Sequence, residues 1–378
     1  MFLIERFVGF GTYMAILLVA CLFLIKTTAS CKSVLRVYLV CLCVMAYCYK
    51  PYVTADLYRI YETMDFFSSM SFSVFWSEFA LESTSPVARL IYWAIGKTGN
   101  NALLPVFSAF VCYSIIFWII NKTKEKYAVS KFNVACVLFF VMTTSIYISV
   151  IGGIRMMLSL CLILFSYFRV TVEKKFGLID VLFCVSALFI HAMGYAVIGI
   201  CALVFAIKAI RGIERKSLYL GIIGVAGIVF FVKFRDVVNR LYRKFLEYVL
   251  GDRHSDSWEY IMGVLIVAVL MLLFFEFRRL RNEEDVRTLE PHHSAAVLSV
   301  VVAMCFCFEF SFFYRFGGQL AVLLSIPTMM VTLEKRKGKS GAVIRGVDFR
   351  SVLILFSLII AVLSCTRGSL SSLKFFEL

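Results

Sequence analysis

Long apolar runs alternate with short polar connections along the whole chain, and most runs have the length of a membrane-crossing helix. The hydrocarbon core of a bilayer is about 30 Å thick, so a helix needs about 20 mostly apolar residues to cross it. The pattern predicts about twelve transmembrane helices, within a range of roughly 10 to 14. Their approximate positions are 7–25, 34–50, 101–120, 132–150, 154–170, 178–190, 193–210, 217–234, 258–275, 293–311, 316–333 and 349–365.

The composition also indicates a membrane protein. Of the 378 residues 61% are hydrophobic, and the mean hydropathy is +0.90. A soluble domain could not keep so much apolar surface away from water. We therefore predict an all-α polytopic membrane protein in which residues 1–378 form a single membrane domain. The first run, 7–25, is expected to remain as a helix, because it lacks a small-residue cleavage site and is followed by another span.

The distribution of basic residues predicts how the helices are oriented. The formal net charge is +15, and the chain has 39 Lys and Arg residues. Loops rich in Lys and Arg remain in the cytoplasm, which places both termini outside. The excess charge is then accounted for by the anionic membrane face, so no nucleic-acid partner is indicated. The six short loops assigned to the inside carry 24 of the 39 basic residues: 26–36, 121–131, 169–177, 208–216, 276–292 and 334–350.

Two of the predicted outer connections are long enough to hold structure of their own. In 51–100, apolar residues such as Phe66 and Phe75 alternate with Ser, Asp and Glu, as in interfacial helices. In 233–257, apolar residues recur at helical spacing with basic residues such as Arg240 among them. This second segment predicts a basic amphipathic helix on the outer face.

Four ionisable residues at the ends of apolar runs are the main candidates for chemistry: Arg155, His191, Arg315 and Asp56. A charge near the centre of a spanning helix costs about 2.5–3.5 kcal/mol on insertion scales, so such residues require a reason. The predicted topology used only run lengths and Lys/Arg counts, yet it places all four on the outer side. Arginine is a fixed bidentate donor suited to phosphate and pyrophosphate, and histidine is a common general base near neutral pH.

Each candidate also has a simpler interpretation. Arg155 and Arg315 could anchor their helices at the membrane interface by extending their charged groups toward water. His191 could be a hydrogen-bonded interfacial histidine, and Asp56 could pair with Arg59 one helical turn away. The residues alone leave both interpretations open.

Five further residues on the outer side are candidates for substrate binding, with lipid-headgroup anchoring or an interfacial charge as the alternative: Arg59, Arg89, Arg240, Arg253 and His254. The outer segments contain no Asp-x-Asp pair, no His/Cys cluster and no two-carboxylate spacing. No metal and no other cofactor is therefore indicated.

Several short motifs occur along the chain in a characteristic order and spacing: Asp56–Tyr61, Glu82–Asn101, Gly153-Ile154-Arg155, Lys174-Lys175, Phe189-Ile190-His191 and Tyr314-Arg315-Phe316. In this order and spacing they resemble the EpsG-like branch of the Wzy-type polysaccharide polymerases. The arginine that opens a span in this family is often followed by Gln, whereas Met156 follows Arg155 here.

The resemblance implies a multi-pass protein of the bacterial inner membrane, similar to metal-independent glycosyltransferases of the GT-C type. Its substrates would be oligosaccharide repeat units carried on undecaprenyl pyrophosphate, joined at the periplasmic or outer face. Arg155 and Arg315 would then hold the pyrophosphate leaving group, and His191 or Asp56 would accept the proton of the attacking hydroxyl. The implied partners are these lipid-linked oligosaccharides, membrane lipids and a regulator of chain length.

Two other functions compete with polymerisation. A ligase that moves a finished glycan to another acceptor would use the same leaving group and the same arginines. A flippase for the lipid-linked oligosaccharide would instead be expected to show repeat symmetry between its halves and charges at the bilayer midplane. The sequence shows no internal repeat, and its unusual charges lie at one face.

Overall fold

The computed structural model describes residues 2–53, 55–144, 146–211, 257–280, 282–305, 313–335 and 349–366. Secondary structure in these residues is helical, in agreement with the predicted all-α class. Two π-helical segments, Phe75–Ala80 and Arg169–Glu173, follow helices directly, and a third, Tyr314–Leu320, precedes one. The α-helices are α1 (Phe2–Lys26), α2 (Cys31–Cys48), α3 (Asp56–Ser68), α4 (Phe72–Val74), α5 (Pro86–Gly96), α6 (Leu103–Tyr127), α7 (Lys131–Thr143), α8 (Ile146–Gly152), α9 (Ile154–Phe168), α10 (Leu178–Ile190), α11 (Met193–Arg211), α12 (Ser257–Arg279), α13 (Glu284–Thr288), α14 (Glu290–Cys305), α15 (Ala321–Lys335) and α16 (Phe349–Thr366).

Six helical segments of the described chain are long and apolar enough to cross a membrane. A bent pair, α7 with α8, raises this number to seven if it forms one span, and three shorter apolar helices accompany them. These helices indicate a membrane-embedded protein. The count of about twelve stays a prediction, because span 217–234 and the end of span 293–311 lie outside the described residues. The six are Gly9–Lys26, Cys31–Cys48, Leu103–Tyr127, Ile154–Glu173, Tyr260–Arg279 and Tyr314–Lys335.

The predicted straight helix 132–150 is divided into two parts. Helix α7 ends at Thr143, and α8 begins at Ile146 with its axis turned by 54°. The Thr143 and Thr144 hydroxyls donate to carbonyls three residues earlier in the chain, at 2.9 and 2.7 Å. Such local bonds compete with the regular helical pattern and favour a bend.

One end of the bundle carries the basic loops and is called the basic end below. Lys126 Nζ donates to the Val172 carbonyl at 2.5 Å, which joins the end of α6 to the segment after α9. Tyr167 Oη donates to the Pro291 carbonyl at 2.8 Å, and Lys335 Nζ pairs with Asp285 at 2.6 Å. These contacts join the end of α6 to the segment after α9, the end of α9 to the start of α14, and the end of α15 to α13.

The opposite end carries most of the residues between α2 and α6. The predicted interfacial segment 51–100 contains α3, α4, a π-helical segment and α5. Asn101 Nδ2 donates to Asp65 Oδ1 at 2.7 Å, and Asn100 Nδ2 donates to Tyr47 Oη at 3.2 Å. A Cβ at Gly96 would lie 2.7 Å from the Met64 carbonyl oxygen, so glycine allows α5 to pack closely on α3.

Candidate functional site

Arg155 lies in the first turn of α9, at the end opposite the basic end. The chain reaches it from α8 through a single linking residue, Gly153, whose N–H donates to the Ser149 carbonyl at 2.9 Å. A Cβ at Gly153 would lie 3.0 Å from that oxygen, which explains the need for glycine in this tight connection. Arg155 itself is exposed, whereas its neighbours Ile154 and Met156 are buried. The guanidinium therefore projects from a helix whose other faces are packed.

The turn that contains His191 packs against the same helix. Helix α10 ends at Ile190 with His191 as its C-cap, and Ser159 Oγ, one turn after Arg155, donates to the Ala187 carbonyl at 2.9 Å. A Cβ at Gly194 would lie 2.8 Å from the Ala187 oxygen and 2.9 Å from Ser159 Oγ. This close packing fixes the His191 turn beside the first two turns of α9.

A backbone hydrogen bond determines which ring nitrogen of His191 can donate. The Met193 N–H donates to His191 Nδ1 at 3.1 Å. A nitrogen that accepts a hydrogen bond carries no proton, so the proton of the neutral ring is on Nε2. In this tautomer the half-buried His191 presents an Nε2–H donor.

The segment that begins with Tyr314 and Arg315 packs against the region between α7 and α8. Tyr314 Oη donates to the Thr144 carbonyl at 2.7 Å, and Gln319 Nε2 donates to Ser149 Oγ at 2.5 Å. Both acceptors belong to the α7–α8 region, which leads directly into Gly153 and Arg155. Arg315 is half-buried in the first turn of this π-helical segment.

A buried tyrosine lies within electrostatic range of both Arg155 and Asp56. Tyr92 on α5 is only 5% exposed, and its hydroxyl has no hydrogen-bond partner among the described residues. Burial raises the pKa of Tyr92 to about 12, an effect that the positive charge of Arg155 opposes and the negative charge of Asp56 reinforces. The phenol therefore remains protonated at physiological pH and is available as a donor.

The remaining candidates of the outer segment occupy the surface around Tyr92. Arg59 and Asp56 form an ion pair at 3.6 Å with side chains 68% and 81% exposed, which confirms the pairing expected from their spacing. Arg89 Nη1 donates to the Phe79 carbonyl at 2.6 Å and so joins α5 to the π-helical segment before it. Exposed pairs of this kind contribute little to stability, so the pair leaves Asp56 accessible to a ligand.

Comparison with known families identifies the chain at this point. The family model described as EpsG family matches residues 58–374, which is more than half of the chain. The chain belongs to the EpsG family. No curated protein and no solved structure matches it. Membership in the EpsG family confirms the resemblance and indicates a polysaccharide polymerase-like glycosyltransferase role in a membrane protein.

The matched range covers all the described candidates except Asp56, which lies two residues before its start. Contacts of the described residues join the start of α9 to the His191 turn and the α7–α8 region to the Arg315 segment, and Arg155 lies within electrostatic range of Tyr92 on α5. The predicted basic helix in 233–257, with Arg240, Arg253 and His254, lies outside the described residues.

Two buried polar residues near these candidates, Tyr92 and Gln319, were not predicted from the sequence. Gln319 is 2% exposed, and its Oε1 has no hydrogen-bond partner within the described chain. Tyr92 follows Arg89 by three residues, and this spacing places both on one face of a helix. The sequence contains this spacing. A tyrosine in an apolar helix is common, however, and is ordinarily interpreted as a packing residue.

Proposed function

We propose that this protein is a bacterial polysaccharide polymerase that joins oligosaccharide repeat units carried on undecaprenyl pyrophosphate. The reaction takes place at the end of the bundle that holds Arg155, which faces the periplasm or the cell exterior. The observation that carries this proposal is the grouping of Arg155, the His191 turn, the Arg315 segment and Tyr92 at the end opposite the basic end. The positive-inside rule assigns the basic end to the cytoplasm.

The donor lipid binds with its pyrophosphate at Arg155 and Arg315. A guanidinium keeps its charge at all physiological pH values and can donate two parallel hydrogen bonds to a phosphate group. The buried Tyr92 hydroxyl adds a neutral hydrogen-bond donor. It has no acceptor among the described residues, and the bound pyrophosphate would supply one. Together these donors stabilise the negative charge that develops on the leaving pyrophosphate.

In the bond-making step, a hydroxyl oxygen of one repeat unit attacks the anomeric carbon of the growing glycan. A carbon–oxygen bond forms there as the bond between that carbon and the pyrophosphate oxygen breaks. The electron pair of the broken bond goes to undecaprenyl pyrophosphate. The proton of the attacking hydroxyl goes to the Asp56 carboxylate. The charges of Asp56 and Arg155 both act on the buried Tyr92 hydroxyl, which supports a common site.

His191 acts in this scheme as a hydrogen-bond donor to the leaving group. To act as the base, His191 would need an unprotonated Nε2. Because its Nδ1 accepts a hydrogen bond from the Met193 N–H, the proton of the neutral ring lies on Nε2. The tautomer therefore favours donation from Nε2 and makes Asp56 the better acceptor of the two candidates. Loss of one such preorganised donor typically lowers kcat by about 10²- to 10³-fold.

The proposal is tested by the glycan ladder that forms in a host whose own polymerase has been deleted. Wild type is expected to restore a ladder of many repeat units, and Arg155→Ala at equal membrane level is expected to leave a single unit. Lys97→Ala, a basic residue at the same end that packs over Trp93 at 5.8 Å, provides the matched charge control. A ladder from Arg155→Ala as long as that of wild type would contradict the assigned role.

The same experiment separates polymerisation from ligation and from flipping. A ligase would restore the attachment of chains that are already long, without adding units to them. A flippase would change the membrane leaflet in which single lipid-linked units accumulate. The ligase remains the principal alternative, because the EpsG-family site would serve it with the same leaving group.

A further inference from the structure

A cavity of about 360 Å³ lies at the basic end, and its lining includes neither Arg155 nor His191. It is formed by the last turns of α11 and α12, by α13 and by the first three turns of α14. Its volume lies in the range of sites that bind small molecules. The polymerase proposed above makes no use of this cavity.

Three cations line the cavity: Lys208, Arg278 and Arg287. Glu290 contributes a carboxylate to the same lining. Within the described part of the chain, no ion pair joins any of the three cations to a carboxylate. Three carboxylates nearby in the sequence pair with other residues. Glu276 pairs with Arg279 at 3.4 Å, and Lys335 lies 2.6 Å from Asp285 and 3.7 Å from Glu283.

The positive potential around the cavity also affects a neighbouring lysine. Burial lowers the pKa of Lys174, and the charges of Lys208 and Lys126 lower it further. Like charges so close together raise the energy of the protonated ammonium groups, and a bound anion would reduce that repulsion. The basic end therefore favours an anionic ligand beside Lys208.

Apart from His293 and Ser294, the remaining lining is apolar, and it continues into the surface that faces the membrane. Val204 and Ile207 of α11 form one wall, and Val297 and Val301 of α14 form another. Ile207 is 44% exposed and Val301 is 50% exposed. Exposed aliphatic side chains on apolar helices indicate contact with lipid, so the cavity opens sideways toward the bilayer. A free inorganic anion would make no apolar contact with these side chains, whereas an acyl chain would.

We infer that this cavity binds an anionic glycerophospholipid, with its phosphate at Lys208, Arg278 and Arg287 and an acyl chain along the groove between α11 and α14. Basic pockets between helices near a membrane surface are known to select acidic headgroups in this way. The inference depends neither on the polymerase reaction nor on which leaflet the basic end faces.

The test uses the full-length protein purified in a neutral detergent. Tm and apparent affinity are measured while phosphatidylglycerol is added, with phosphatidylcholine and inorganic phosphate in parallel. Phosphatidylglycerol is expected to raise the Tm of wild type, and the other two are not. A basic residue near a membrane surface contributes about 1 kcal/mol, so Arg278→Gln with Arg287→Gln should weaken phosphatidylglycerol binding by about thirtyfold.

Two further variants separate a lipid site from general electrostatic attraction. Lys26→Gln with Lys175→Gln removes the same charge from exposed positions outside the cavity and should leave affinity within about twofold of wild type. Val301→Trp keeps all charges and fills the groove, so it should weaken lipid binding as well. Equal loss in the Lys26/Lys175 control, equal stabilisation by phosphatidylcholine, or full stabilisation by inorganic phosphate alone would each overturn the inference.

Discussion

Tyr92→Phe removes one oxygen atom from the proposed site, and its expected effects on activity and stability have opposite signs. The hydroxyl is buried and has no hydrogen-bond partner among the described residues. An unpaired buried polar group costs about 1–3 kcal/mol, so its removal should leave the Tm unchanged or raise it. A hydrogen bond to a charged group contributes about 1.5–3 kcal/mol, so losing the donor should slow glycosyl transfer by about ten- to a hundredfold.

Tyr61→Phe is the matched control for this substitution. Tyr61 on α3 also has a buried hydroxyl with no hydrogen-bond partner within the described chain. Burial raises its pKa as well, and Tyr49 reinforces this effect, whereas the charge of Arg155, which lowers the pKa of Tyr92, does not act on Tyr61. The control should therefore show the same change in Tm and retain the activity of wild type.

The assay compares initial rates of chain extension by the purified variants at equal protein concentration, together with Tm in the same detergent. Because the pKa of Tyr92 is raised to about 12, the rate difference should persist up to pH 10, where an ordinary tyrosine would begin to lose its proton. Chain extension by Tyr92→Phe as fast as by Tyr61→Phe, or a slower rate accompanied by a lower Tm, would contradict the role assigned to the Tyr92 hydroxyl.

Three further substitutions test neighbouring parts of the account. The amide of His191→Gln can donate a hydrogen bond but cannot act as a base, so this variant should retain at least tenfold more activity than His191→Ala. Equal loss of activity in both variants would favour His191 as the general base. Gly194→Ala places a methyl group 2.8 Å from the Ala187 carbonyl oxygen, and it should lower both Tm and kcat; an unchanged kcat would show that the turn tolerates displacement. Arg169→Ala leaves the fully buried Asp180 without its ion pair at 3.6 Å and should destabilise the protein by about 3–5 kcal/mol, measured by denaturant unfolding; a loss below 1 kcal/mol would contradict this.

The apolar pattern predicted the positions of most helices, because burial in lipid leaves a strong signal in the sequence. The span predicted at 178–190 coincides with α10. Helix α6 was expected to end near residue 120 but continues to Tyr127, since Asn121, Lys122 and Thr123 are polar yet compatible with a helix beyond the membrane core.

The bend between α7 and α8 could not be predicted from hydropathy. Thr143 and Thr144 lie within a continuous apolar run, and the bend depends on local bonds of their hydroxyls. Its consequence for the site is large, because it gives Ser149 the position in which it accepts a hydrogen bond from Gln319. Helix counting alone treats this region as one straight span.

The grouping of site residues was predicted only in part. The topology placed Arg155, His191, Arg315 and Asp56 at one end, and this placement stays a prediction. Contacts of the described residues join the helix of Arg155 to the His191 turn and the α7–α8 region to the Arg315 segment. Tyr92 escaped prediction because its importance comes from long-range packing of α5 near Arg155, which no spacing in the sequence specifies. The His191 tautomer likewise depends on a backbone N–H two residues away.

The central claim is that this EpsG-family protein extends a glycan at Arg155 with release of undecaprenyl pyrophosphate. The most direct measurement supplies purified wild type and Arg155→Ala, in lipid vesicles, with a chemically defined undecaprenyl-pyrophosphate-linked repeat unit. Glycan length and released undecaprenyl pyrophosphate are then quantified together. The account predicts one released carrier for each linkage formed by wild type and a rate at least a hundredfold lower for Arg155→Ala. Extension by Arg155→Ala at the rate of wild type, or no extension by active, folded wild type, would contradict it.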